Sequence, residues 1–115
     1  MATMIHWKNK TILQCSNSIA AGLYECILDV IRDQNLFFNT EISELIERLE
    51  LCGSGWHINL ADYIHSKENL KIFIDLVRKG INKQYEEIQN LPQHTKDFLE
   101  NFYLGLLEIY NNFQA

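Results

Sequence analysis

Along much of this chain apolar residues recur at the three-and-four spacing of amphipathic helices, interrupted by short polar or glycine-containing stretches. Ser18 stands where a helix cap belongs. After it Ile19, Leu23, Cys26, Ile27, Val30 and Ile31 share one side while Glu25, Asp29, Arg32 and Asp33 take the other, which predicts a first helix ending near Asn35. Leu36-Phe37-Phe38 is a short apolar connection. Thr40 is placed to cap a second helix, in which Ile42, Leu45, Ile46 and Leu49 keep the helical spacing until Gly53 stops it at Cys52-Gly53. The one glycine-rich loop, Gly53-Ser54-Gly55, runs through Trp56-His57-Ile58 to Asn59, which can cap a short turn over residues 60–64.

Ser66 restarts a helix. Leu70, Phe73, Ile74, Val77, Ile81, Tyr85 and Ile88 mark one face of it, and Ile72 and Leu76 lie on the opposite side. A helix with two apolar faces is normally sandwiched between neighbours, so this one should cross the middle of a bundle. Gly80 costs it about 1 kcal/mol relative to alanine and stands where a bend or break is expected. Pro92 suits the first position of a last helix, since its missing N–H would have no intrahelical partner there. Phe98, Leu99, Phe102, Leu106, Ile109, Tyr110 and Phe113 form that helix's apolar stripe. Upstream, residues 5–15 place two apolar patches around Lys8-Asn9-Lys10, a pattern open to either a small hairpin or an extended arm. The predicted fold class is therefore all-α: a compact bundle of four to five helices over residues 1–115, with residues 1–15 as an N-terminal arm or hairpin. At 115 residues with 47% hydrophobic content and a single proline, the chain suits one domain.

Charge adds a direction. Ten Lys and Arg against fifteen Asp and Glu give a net charge of −5, which opposes nonspecific binding to nucleic acid or anionic membrane and favours basic partners. No apolar run approaches the roughly 20 residues of a membrane span, and the N-terminus lacks a signal-peptide pattern, so a soluble, cytoplasmic protein is expected. Three cysteines, Cys15, Cys26 and Cys52, match neither a CxxC motif nor a paired secreted framework and read as reduced, buried thiols.

No catalytic or cofactor motif emerges. His57, Asp62 and His65 could hold a metal if they converged, but they lack an HEXXH or comparable spacing. Cys52 and His57 are the only thiol–imidazole pair close in sequence, and Cys52 reads better as the end of the stripe Leu45, Leu49, Cys52. Gly53-Ser54-Gly55 follows a helix rather than a strand and lacks the P-loop and dinucleotide-fold spacings, so it is a turn. No cofactor, no metal and no enzymatic activity are expected.

Carboxylates on helix faces carry most of the content. Glu41, Glu44, Glu47 and Glu50 recur every third residue opposite the apolar stripe of the second helix, with Arg48 as the only nearby cation, an excess of three negative charges. On the last helix Asp97, Glu100 and Glu108 line one ridge that also holds Leu104, off the buried stripe. An apolar residue among carboxylates has the layout of a binding spot with an anchor and an electrostatic rim. On the third helix Lys67, Lys71, Arg78 and Lys79 share a side with Asp75, which makes it mildly basic without the aromatic interleaving of a nucleic-acid site. Trp7, Trp56, Tyr63 and Leu36-Phe37-Phe38 are large apolar groups on loops or turns, read as lids over the core unless several are exposed together.

In its small size, acidity, helical layout and carboxylate-rich faces, the chain resembles bacterial toxin-immunity proteins, including those paired with contact-dependent growth-inhibition toxins. An isoleucine- and asparagine-rich composition, with seven lysines to three arginines, fits an AT-rich bacterial coding sequence. The resemblance spans the whole chain, carries no individual residue across, and implies a non-catalytic inhibitor that covers the basic active site of a toxin, such as a nuclease. The faces expected to bind are Glu41, Glu44, Glu47 and Glu50, then Asp97, Glu100, Leu104 and Glu108. The rival reading is a regulatory or scaffolding module that self-associates through Leu36, Phe37, Phe38, Ile72 and Leu76.

Overall fold

A two-residue turn, Lys8-Asn9, folds the N-terminus into a hairpin of β1 (Ala2–Trp7) and β2 (Lys10–Ser16), which pair antiparallel with Ile5 opposite Leu13. The chain continues through α1 (Asn17–Asp33), α2 (Thr40–Leu51), a three-residue strand β3 (His57–Asn59), a single 3-10 turn (Leu60–Asp62), α3 (Lys67–Glu87) and α4 (Gln93–Asn111). This computed structural model describes residues 2–51 and 57–113. The predicted stop at Cys52-Gly53, the loop Gly53-Ser54-Gly55, and Trp56 lie outside the described residues. No helix among the described residues is long and apolar enough to cross a membrane.

The architecture is mostly helical but not purely all-α. β3 pairs parallel with β1, giving a sheet of order β2-β1-β3 with β1 in the centre. Leu13, Ile5 and Ile58 stand in register across the three strands, and all three are buried. That row faces the core and fixes the register, because a one-residue slip would turn it toward water. The outer strand is irregular: the pairing steps from Ile5–Leu13 to His6–Thr11, which leaves Ile12 as an extra residue. Such a bulge blunts an exposed edge against further strand pairing.

α3 crosses the middle as its two apolar faces predict. Leu70, Phe73, Ile74, Val77 and Ile81 are buried, and so is Leu76 on the opposite side, with α1, α2 and α4 packed around it. The helix is unbroken at Gly80. That residue is buried against α1, and a Cβ built on it would lie 2.6 Å from Ile27 Cγ1, so the missing side chain permits close helix approach.

Helix starts differ from expectation in two places. Ser16, not Ser18, occupies the cap position of α1, with no side-chain cap bond; the two hydroxyls instead lie 3.1 Å apart. α2 begins at Thr40, but the capping group is Asn39, whose Oδ1 accepts from Ile42 N–H at 3.0 Å. Asn59 and Ser66 cap as expected, accepting from Ala61 N–H and Asn69 N–H. Pro92 sits at the cap rather than the first helical position of α4. In the apolar stripes, Ile88 and Phe98 are corrections: both are exposed, Ile88 because α3 ends one residue before it.

Candidate protein-binding faces

Ile42, Leu45 and Leu49 bury the inner side of α2, which leaves Glu44, Glu47 and Glu50 on its outer side. All three are exposed, stand every third residue, and have no cation partner among the described residues. Arg48 is the one cation among them. The face is thus an uncompensated row of carboxylates on a rigid helix.

Glu41 does not belong to that free row. Its Oε1 accepts from His65 N–H at 3.0 Å and from Asn69 Nδ2 at 2.8 Å, and its Oε2 lies 3.0 Å from His65 Nδ1. Asn69 is bonded in turn to Asn39, the cap of α2. Desolvation works against ionising Glu41, but the hydrogen bonds from the His65 backbone, the Asn69 amide and the His65 ring together outweigh it and hold the carboxyl below its ordinary value. Glu41 therefore clasps the start of α2 to the start of α3.

The α4 ridge is divided in the same way. Glu100 accepts both arms of the Arg78 guanidinium, at 2.9 and 3.0 Å, and the Tyr85 hydroxyl at 2.7 Å. Glu108 pairs with Lys10 on β2 at 3.3 Å. Asp97 is exposed and takes a bond from Gln93 in its own helix. Leu104 is 56% exposed, as its position off the stripe requires. Two of the three ridge carboxylates thus neutralise cations of the same chain.

No family model, curated protein or solved structure matches this chain. Its surface is read from its own geometry.

The other sequence candidates do not assemble. His57 is exposed on β3, Asp62 is exposed in the 3-10 turn, and His65 faces Glu41; among the described residues no group of three His, Cys, Asp or Glu is placed to hold a metal. Cys15 and Cys26 are free, buried thiols whose burial pushes both pKa values up, the opposite of what a nucleophile needs. Cys52 lies outside the described residues. The basic side of α3 is largely engaged: Lys71 with Asp75, Arg78 with Glu100, Lys79 with Gln34, and Lys67 over the Tyr110 ring at 4.6 Å.

Trp7 and Tyr63 are half-buried lids, Trp7 meeting Phe113 at a ring-centroid distance of 5.9 Å. The run Leu36-Phe37-Phe38 splits. Leu36 and Phe38 pack on the core, whereas Phe37 is 88% exposed. Leu76, which the rival self-association reading puts on an apolar outer surface, is only 3% exposed and belongs to the core, because α3 is covered on both sides. Sequence reasoning missed the clasp at Glu41 and did not single out Phe37 from its neighbours Leu36 and Phe38 as the solvent-facing residue. The first joins residues more than twenty positions apart, and the second depends on which of three adjacent apolar residues the fold turns outward.

Proposed function

We propose that this chain is a non-catalytic, protein-binding inhibitor of the toxin-immunity kind, which neutralises a basic bacterial toxin, such as a contact-dependent growth-inhibition nuclease, by covering its active site. The observation that carries the reading is the outer face of α2, where Glu44, Glu47 and Glu50 are exposed without a cation partner among the described residues. A nuclease site gathers Lys and Arg to hold phosphates, and carboxylates fixed on a helix can occupy the same field. Their long-range attraction speeds encounter, while apolar contact slows dissociation. Glu44, Glu47 and Glu50 are the recognition residues in this reading. Asp97 and Leu104 form a secondary patch on α4, because Glu100 and Glu108 are already paired within the chain.

The test is titration calorimetry of the chain against the toxin domain encoded beside it, at two salt concentrations. The wild type should bind one to one, with affinity falling as salt rises. Glu44→Lys combined with Glu47→Lys should weaken binding by at least about tenfold and flatten its salt dependence. Both positions are exposed, so the melting curve should be nearly unchanged. Equal affinity in the variant would eliminate this face.

A further inference from the structure

Recognition of a basic protein through Glu44, Glu47 and Glu50 needs an apolar contact beside the charges, because exposed carboxylates govern the rate of encounter and a desolvated side chain holds the complex once formed. The described apolar residues of α2 do not supply it: Ile42, Leu45 and Leu49 are buried and Ile46 packs against the core. Phe37, three residues before the helix begins, is 88% exposed. The backbone fixes where its ring stands. On one side Leu36 N–H donates to Ile31 C=O at 3.0 Å. On the other, Asn39 accepts from Ile42 N–H at its side chain and from Ser43 N–H at its carbonyl, each at 3.0 Å, which ties the segment to the first turn of α2. Leu36 and Phe38 pack on the core, so Phe37 between them turns to the solvent side, as the α2 carboxylates do. Three extended residues and the helical rise beyond them put the Phe37 Cα at most about 17 Å from that of Glu44 and about 21 Å from that of Glu47. A standard interface, with about 800 Å² per partner, is about 30 Å across, so ring and carboxylates fit under one footprint.

We propose that Phe37 is the anchor of the α2 recognition face, the ring on which an arginine or lysine of the basic partner stacks while Glu44 and Glu47 draw that partner in. The inference rests on the inhibitor reading above. Charge complementarity selects the occupant. Glu44 and Glu47 have no cation of this chain among the described residues, and residues 34–40 around the ring carry no charge of their own. An aromatic face attracts cations, and the aliphatic stem of arginine or lysine packs on it. The chain uses the same chemistry internally, where Arg78, gripped by Glu100, lies 4.9 Å over the Tyr103 ring. Because the segment is bonded on both sides of Phe37, the ring is presented with little ordering left to lose on binding.

Stopped-flow kinetics against the toxin domain encoded beside the chain, at two salt concentrations, separate an anchor from steering charges. Phe37→Ala should speed dissociation by about tenfold or more, with the association rate within about twofold of wild type and its salt dependence unchanged. Phe37→Trp keeps a cation-binding ring and should dissociate no faster than wild type. Glu44→Lys with Glu47→Lys should instead slow association. Circular dichroism and the melting midpoint of Phe37→Ala should match wild type, because the side chain is exposed. An unchanged dissociation rate in Phe37→Ala, beside slower association in the charge variant, overturns the anchor and leaves the inhibitor reading standing. Dissociation of Phe37→Trp as fast as that of Phe37→Ala overturns the stacked cation. A wild type that does not bind the toxin domain removes the inhibitor reading and the anchor together. Self-association in sedimentation that Phe37→Ala abolishes assigns the ring to a second copy and overturns the proposal.

Discussion

Lys8 adopts φ of 55°, a left-handed conformation that costs a residue with a side chain about 1 kcal/mol or more. The conformation is held by Asn59, whose Oδ1 accepts from Lys8 N–H at 2.9 Å while its Nδ2 donates to Lys8 C=O at 3.0 Å. The same Oδ1 caps the 3-10 turn through Ala61 N–H. One amide therefore ties the hairpin turn, β3 and the following turn together. Asn59→Ala should destabilise the fold by about 2 kcal/mol in urea titrations, combining a lost cap with lost turn bonds, whereas His57→Ala on the exposed neighbour should change it by less than about 0.5 kcal/mol. Gly80 makes a second single-residue argument. Helix propensity alone says that Gly80→Ala stabilises α3 by about 1 kcal/mol. With Ile27 Cγ1 2.6 Å from the added Cβ and Ile27 N at 3.4 Å, the overpacking dominates, and a loss of about 1–3 kcal/mol is expected. Calorimetric melting in an Ile27→Ala background should show that loss disappear, because the crowded atom is gone.

Between elements, α3 and α4 are joined by a polar contact with a defined pH signature. Arg78 grips Glu100 with both guanidinium arms and Asn82 within its own helix, and its guanidinium lies 4.9 Å over the Tyr103 ring. The hydrogen bond from Arg78 holds the Glu100 carboxyl below its ordinary value, against desolvation and with help from Tyr85. Burial, followed by the hydrogen bond to Glu100, pushes the Tyr85 phenol up to about 12. A depressed carboxylate stabilises the fold above its ordinary pKa and loses that contribution as pH falls through the folded value. A raised phenol stabilises below its ordinary 10.0 and loses the contribution as pH rises through about 12. Denaturant titrations across pH should therefore show a shallower alkaline decline between about 10 and 12 in Tyr85→Phe than in wild type, by at most about 1 kcal/mol because Glu100 is 41% exposed and solvent screens it. The Glu41 clasp performs the corresponding task between α2 and α3 through the Asn69 amide and the backbone N–H and ring of His65, so it holds the start of α2 without using a lysine or arginine.

Across the molecule, a net charge of −5 becomes a pattern through pairing. Lys10, Arg32, Lys71, Arg78 and Lys83 each meet a carboxylate of this chain. Their partners lie on α1, α3 and α4, while the outer row of α2 receives none of them among the described residues. The spacing of the carboxylates on α2 is legible in the sequence, and so is their position opposite Ile42, Leu45 and Leu49. The internal use of Glu41, Glu100 and Glu108 is not, because each is bound by groups far along the chain: His65 and Asn69, Arg78 and Tyr85, and Lys10. The sheet is similarly hidden. β3 has three residues, too few to show alternation, and its partner strand lies some fifty positions upstream.

Hydrophobic spacing by itself determines the four helices, the two-sided burial of α3 and the acidic outer face of α2, because these follow from local periodicity and need no partner to be named. Tertiary structure decides the rest. It recruits residues 57–59 to the hairpin, packs Gly80 against α1, leaves Phe37 in water while Leu36 and Phe38 pack on the core, and assigns some carboxylates to bonds within the chain while leaving others without a cation. Each of these is set by which distant groups meet, and a periodic pattern records how a segment is oriented but not what it is packed against.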